Sequence, residues 1–145
     1  MARYAMQTAM RQACVDFMEG YAAAASIKLQ VYPGRPNSIY PPTAFVDRLA
    51  ETITYTGLNQ RHPTAEVVVI HGLFDTKVAA SQRDAWVDGF IDWALDNVHG
   101  AGANTTIAVT DVEDVPDFIP DWQPPAEQKT YYASRITLEG LSLSG

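Results

Sequence analysis

This chain of 145 residues has a single cysteine, Cys14. No intrachain disulfide is possible, so a reducing compartment is expected. Cys14 falls on the apolar stripe of a helical segment, the place of a small core residue rather than a nucleophile. No apolar run reaches the roughly 18 residues of a membrane span, and no basic-then-apolar leader opens the chain. The expected location is therefore the cytosol, unless the protein leaves as part of a larger particle. Basic residues are also scarce: 10 Lys and Arg stand against 17 Asp and Glu, a net charge of −7. That excludes the basic face a nucleic-acid binder needs and disfavours an anionic membrane as partner. Catalytic motifs are missing as well. There is no P-loop, no GxGxxG, no HExxH and no GxSxG. An enzyme is not expected, nor a cofactor.

What is present describes a folded domain. Hydrophobic residues make up 47% of the chain and there are three tryptophans, unlike a disordered sequence. The length fits one domain, residues 1–145, able to bury about 68–70% of its unfolded surface. The charge is unevenly spread. From Lys28 to Arg83 there are six basic and four acidic residues; from Asp84 to Gly145 there are eleven acidic and two basic. Such asymmetry suits docking between opposite faces of neighbouring copies, or it is an acidic surface that keeps the protein soluble.

Four of those acids form a ladder. Asp84, Asp88, Asp92 and Asp96 stand four apart in Ser81 to Val98, which reads as a long amphipathic helix. Residues four apart share one helix face. Each like-charged pair there costs roughly 0.2–0.5 kcal/mol. Trp86, Val87, Phe90, Ile91, Trp93, Ala94 and Val98 take the buried side.

The remaining elements follow from periodicity. Arg3 to Ala25 is a helix, with Met10, Cys14, Phe17, Met18 and Tyr21 on one buried face. Ile27, Leu29 and Val31 alternate with polar residues as a half-buried strand. Pro42 opens a short helix from Thr43 to about Ala50, with Phe45, Val46 and Leu49 inward. Thr52 to Thr56 is a strand. A polar loop holds Arg61, His62 and Pro63. Glu66 to His71 is a strand covered on both faces. Asn104 to Thr110 and Tyr131 to Leu138 are strands, joined by a long loop from Asp111 to Glu127. The tail from Glu139 is small and polar and is expected to fray. The expected fold is α+β (mixed α/β), a single mixed β-sheet with the N-terminal helix and the long amphipathic helix packed on it.

Eight of the nine prolines fall in two segments, 33–42 and 111–127. Proline stiffens a loop and removes backbone donors. Both segments are expected to make contacts, through Tyr32, Arg35 and Tyr40 at the first and Phe118, Ile119 and Trp122 on the second. Phe118 and Trp122 either anchor a partner or fold back onto this chain's own core. His71 with Asp75 would make a hydrogen-bonded pair, but nothing marks a nucleophile beside it. His99, in a last helical turn, suits the helix dipole. The aspartates, like Asp111, Glu113, Asp114, Asp117 and Asp121, form a solvated face unless ligands for Mg²⁺ or Ca²⁺ converge from other elements.

Taken in order, these pieces resemble the tail terminator family of long-tailed bacteriophages. The resemblance covers most of the chain. It runs through the N-terminal helix, Tyr32-Pro33-Gly34-Arg35-Pro36, Tyr40-Pro41-Pro42 and Ala44-Phe45-Val46. It continues through Gly72, Phe74-Asp75, the helix with Gln82-Arg83-Asp84 and Val87-Asp88, Gly102-Ala103-Asn104-Thr105, and the closing Tyr131-Tyr132 strand. It implies a structural virion protein at the head-proximal end of the tail, assembled in the host cytoplasm. Such a protein is soluble before assembly and then forms a hexameric ring on the tail tube. The implied partners are other copies of itself, the major tail tube protein and the head–tail connector of the neck. DNA would pass through the lumen without specific binding. The aspartate ladder would line that lumen, where it repels phosphates, or face Arg35, Arg48, Arg61 or Arg83 of the next copy. The rival readings are a head-closure or tail-completion protein of the neck, a small metal-dependent hydrolase, and a cellular adaptor domain.

Overall fold

The computed structural model describes residues 4–55, 60–73, 78–96 and 107–140. In chain order they form α1 (Tyr4–Ala24), β1 (Gln30–Tyr32), β2 (Thr43–Thr54), β3 (Gln60–Leu73), α2 (Ala79–Asp96), β4 (Ile107–Phe118) and β5 (Tyr131–Gly140), with one 3₁₀ turn at Pro125–Glu127. The strands make one sheet in the order β1-β2-β3-β5-β4. Only the β1–β2 pair is parallel. Two helices packed on a mixed sheet make this an α+β fold.

Both helices lie on one face. Met10, Cys14, Phe17, Met18 and Tyr21 of α1 meet Phe90 and Ala94 of α2 over Ala44, Val46, Val67, Val69, Ile136 and Leu138. Aromatic rings fill the angle between the helices: Phe17 meets Trp93 at 4.9 Å, and Tyr21 meets Trp86 at 5.2 Å and Phe90 at 5.3 Å. Burying that much aromatic area dominates the energetics of such a core. α1 ends in a Schellman motif: Ile27 N–H donates to Ala22 O and Ser26 N–H to Ala23 O. Ser26 holds the left-handed position at φ 56°, where glycine is usual.

The opposite face carries a second core at one end. Ile39, Phe45, Val68, Ile70, Phe118, Tyr131 and Ala133 form it, with Tyr32, Val115 and Trp122 packed alongside. The connection from β1 to β2 reaches it for a topological reason. Two adjacent parallel strands need a link that travels back along the sheet. A strand as short as β1 lets residues 33–42 make that return over the far face. The Pro41–Pro42 bond in this link is cis.

Several expectations are corrected. The strand expected from Ile27 is only Gln30–Tyr32. Thr43 to Ala50 is strand, not helix, and it merges with the strand expected from Thr52. A β-bulge at Asp47 shifts the alternation. The buried residues Phe45, Val46 and half-buried Leu49 thereby fall at i, i+1, i+4 and imitate a helical face. Arg61, His62 and Pro63 belong to β3 rather than to a loop. Pro63 sits where β3 has run past β5 and pairs only with Glu51 of β2, so its missing N–H deprives no residue of β5. Asp111 to Phe118 is strand, so the loop expected to begin at Asp111 starts only after Phe118. Bulges after Val109 and after Val115 space Val109, Val112, Val115 and Phe118 three apart and hide the strand period. Glu139 and Gly140, expected to fray, are the last two residues of β5. Expectations on Phe74, Asp75, Val98, His99, residues 102–105 and the tail from residue 141 lie outside the described residues.

Candidate interaction surfaces

The four aspartates of α2 all face solvent. The helix is built for this: Val87, Phe90 and Ala94 go inward, Trp86, Ile91 and Trp93 are half-buried, and the acids take the remaining face. The ladder is capped at its first rung. Arg83 Nη1 lies 3.1 Å from Asp84 Oδ1, although Arg83 itself is mostly buried. No ion pair to Asp88, Asp92 or Asp96 exists among the described residues. No three His, Cys, Asp or Glu side chains converge on a common point among the described residues.

Arg83 anchors a polar network under the start of α2. Its Nε–H donates to Ser134 Oγ at 2.9 Å, and Ser134 Oγ lies 2.9 Å from His71 Nε2. Asp114 Oδ1 is 3.7 Å from Arg83 Nε, and Tyr132 donates to Asp114 Oδ2 at 3.2 Å. Arg83 and His71 thus share the Ser134 hydroxyl. Burial, and then the nearby Arg83 cation, push the His71 pKa down to about 4. Ser134 is fully buried, so this serine–histidine pair cannot reach a substrate. It ties β3, β5 and α2 together. The Ser134 partner of His71 stands on another strand and could not be read from spacing.

The two proline-rich segments meet each other. Trp122 Nε1–H donates to Pro36 O at 2.8 Å and Gln123 Nε2 to Asn37 O at 3.0 Å. Trp122 packs edge-on against Phe45 at 5.3 Å, and the Arg35 guanidinium lies 4.9 Å above the Trp122 ring. Arg35 also holds Asp47 at 2.7 Å. Arg11 of α1 donates to the Pro33 carbonyl. The result is a stiff collar on the far face of the sheet.

The contact residues expected from sequence therefore separate into two groups. Phe118 is buried and Trp122 half-buried, both folded onto this chain's own core. Tyr32 is half-buried there too, its hydroxyl donating to Gln30 Oε1 at 2.8 Å. Tyr40 is 70% exposed and Ile119 50% exposed, so these two present apolar surface outward from the collar. The Arg61 side chain lies outside the described residues.

Two surfaces were not foreseen. β2 and β3 continue as a hairpin arm: β1 covers β2 only from Thr43 to Phe45, and β5 covers β3 only from Thr64 onward. The arm carries Ile53, 51% exposed, and Tyr55, 74% exposed. On the far side of the sheet, β4 is an edge strand of 12 residues. A groove of about 380 Å³ runs between that edge and α2, lined by Ile91, Leu95, Val109 and Val112 among others. A reading of the β4 segment as a loop hid this surface. No family model matches this chain, and no curated protein matches it.

Proposed function

We propose that this protein is a structural component of a bacteriophage tail. It closes a ring on the end of the tail tube, stops the tube from growing and presents a joining surface to the head–neck connector. The ring is hexameric, and DNA passes through it without specific binding. The feature that carries this proposal is the exposed aspartate face of α2, a run of like charge that no cation among the described residues offsets beyond Asp84. Such a face fits a lumen that must repel phosphates, or a joint completed by another copy. The collar adds support. Its backbone carbonyls are tied to Trp122 and Gln123, while Tyr40 and Ile119 stay outward as apolar contacts for the tube or the neck.

Negative-stain microscopy of the purified protein mixed with unterminated tail tubes tests this. The expected images show sixfold rings seated on tube ends and tubes of arrested length. Tubes that elongate unchanged in the presence of the protein would sink it. Tyr40→Ala with Ile119→Ala should leave a folded protein that no longer seats on tubes.

A further inference from the structure

We propose that neighbouring copies join edge to edge, the β2–β3 arm of one copy lying along the β4 edge of the next so that its apolar side chains enter the groove beside α2. This rests on the ring-forming function above and names the surfaces that meet.

Both edges are open. Among the described residues, β4 has a strand on one side only along its 12 residues. Exposed edges pair with other strands unless something prevents it. β2 beyond Phe45 has no strand on its outer side among the described residues. Each edge therefore has unmet hydrogen-bonding capacity of the kind the other supplies.

Charge selects the pairing. β4 carries Asp111, Glu113, Asp114 and Asp117, and all four are exposed. Two β4 edges brought together would oppose acid with acid, which is unfavourable. The arm offers a different sign. Arg48 is exposed on the face of the sheet that the helices leave open, the face on which Asp111 and Glu113 also stand. Among the arm's acids, Asp47 is already held by Arg35 and Glu51 accepts from Gln7.

The other face of the joint is apolar. Leu95 is 71% exposed at the groove, an unusual place for a leucine on a helix with so many polar positions. Ile53 shares the helix-side face of β2 with Leu49, so an added arm would turn it toward Leu95 and Val109. Asp88 and Asp92 stand three residues before Ile91 and Leu95, on the adjoining strip of α2. The ladder thereby forms an acidic rim to an apolar groove. Of its two settings, this one places it beside the joint.

The contact is heterologous. One copy's arm meets another copy's edge, so the first copy keeps its edge free and the second keeps its arm. Repetition with a fixed rotation closes a ring, which a two-fold dimer contact could not do.

Oxidative trapping tests the contact in the full chain. Arg48→Cys is combined in turn with Asp111→Cys and with Glu113→Cys. The native Cys14 is buried, with its thiol pushed up to about 12, and stays out of the reaction. One of the two double variants should give a ladder of covalent multimers without reductant, while each single variant stays monomeric. Circular dichroism confirms that each variant folds. A parallel measurement reads self-association by light scattering. Arg48→Glu should weaken it on the order of tenfold, and Glu113→Arg added to Arg48→Glu should restore it. Dimers from Glu113→Cys alone would mean that β4 pairs with itself and would overturn the joint. So would rings that persist with no ladder and no charge effect, although the proposed function would then stand. A clear ladder from a protein that fails to seat on tubes would have the opposite meaning: the joint holds and the tail function falls.

Discussion

On one face of the sheet the core is closed by two helices; on the other it is closed by two proline-rich segments. The helices satisfy their own backbone hydrogen bonds, so they need only side-chain area to hold them down. Residues 33–42 and, beyond β4, residues 119–127 have no such ladder. Their carbonyls are met by Trp122 and Gln123, and their position by Arg35 on Asp47. One closure is therefore global and apolar, the other local and polar. A fault in the first should lower the stability of the whole chain. A fault in the second should loosen the collar and leave the domain folded.

The largest effect is expected in the helix-side core. Phe90 is fully buried against Phe17, Tyr21 and Trp86. Phe90→Ala should destabilise the chain by about 3–5 kcal/mol, read as a lower urea midpoint with circular dichroism and fluorescence falling together. A loss under 1 kcal/mol would show that the aromatic cluster is not what holds the helices.

Next comes acid. His71 is neutral in the folded protein with a pKa near 4, below its unfolded value of 6.5. Above pH 6.5 neither state is protonated and the group has no effect. Between 6.5 and 4 the unfolded chain gains a proton that the folded one refuses, so stability falls as pH falls. The full loss is roughly 3 kcal/mol. Denaturation at pH 7 and pH 4.5 should show it, and His71→Gln should remove most of the difference. An unchanged slope in that variant would mean other groups set the acid response.

A smaller effect belongs to the collar. Trp122→Phe keeps a ring on Phe45 but leaves the Pro36 carbonyl without its donor. The expected loss is about 1 kcal/mol. Hydrogen exchange should quicken in residues 37–40 while α1 and α2 keep their protection. Faster exchange in the helices as well would join the two closures into one cooperative unit. The smallest effect is on the ladder. Asp88→Asn removes two repulsive pairs and should stabilise the isolated subunit by about half a kcal/mol at low salt. A loss of stability would mean that Asp88 has a role inside its own chain.

Legibility followed the regularity of the local pattern. α1 and α2 could be read because Met10 through Tyr21 and Val87 through Ala94 repeat with the helical period, and the core they enter is the one expected. β3 could be read because Val67 to Ile70 is apolar on both faces. β2 and β4 could not, because bulges at Asp47 and Thr110 displace the buried side chains from a period of two. A bulge depends on what a strand pairs with, and local sequence does not record that. The contact residues divided in the same way. Tyr40 and Ile119 stay outward, whereas Phe118 turns inward because Phe45, a residue distant in sequence, stands there to receive it.

The sequence by itself determined that this is an acidic α+β chain, that four aspartates share a helix face, and that its prolines gather in two stiff segments. These are consequences of local spacing and composition. Only the tertiary structure decided that those two segments clasp each other, that His71 is bonded to Ser134, and that the aspartates rim a groove beside an open strand edge. Each of these brings together residues remote in the chain, and a pairing of that kind is fixed by sheet order and bulges rather than by any local period.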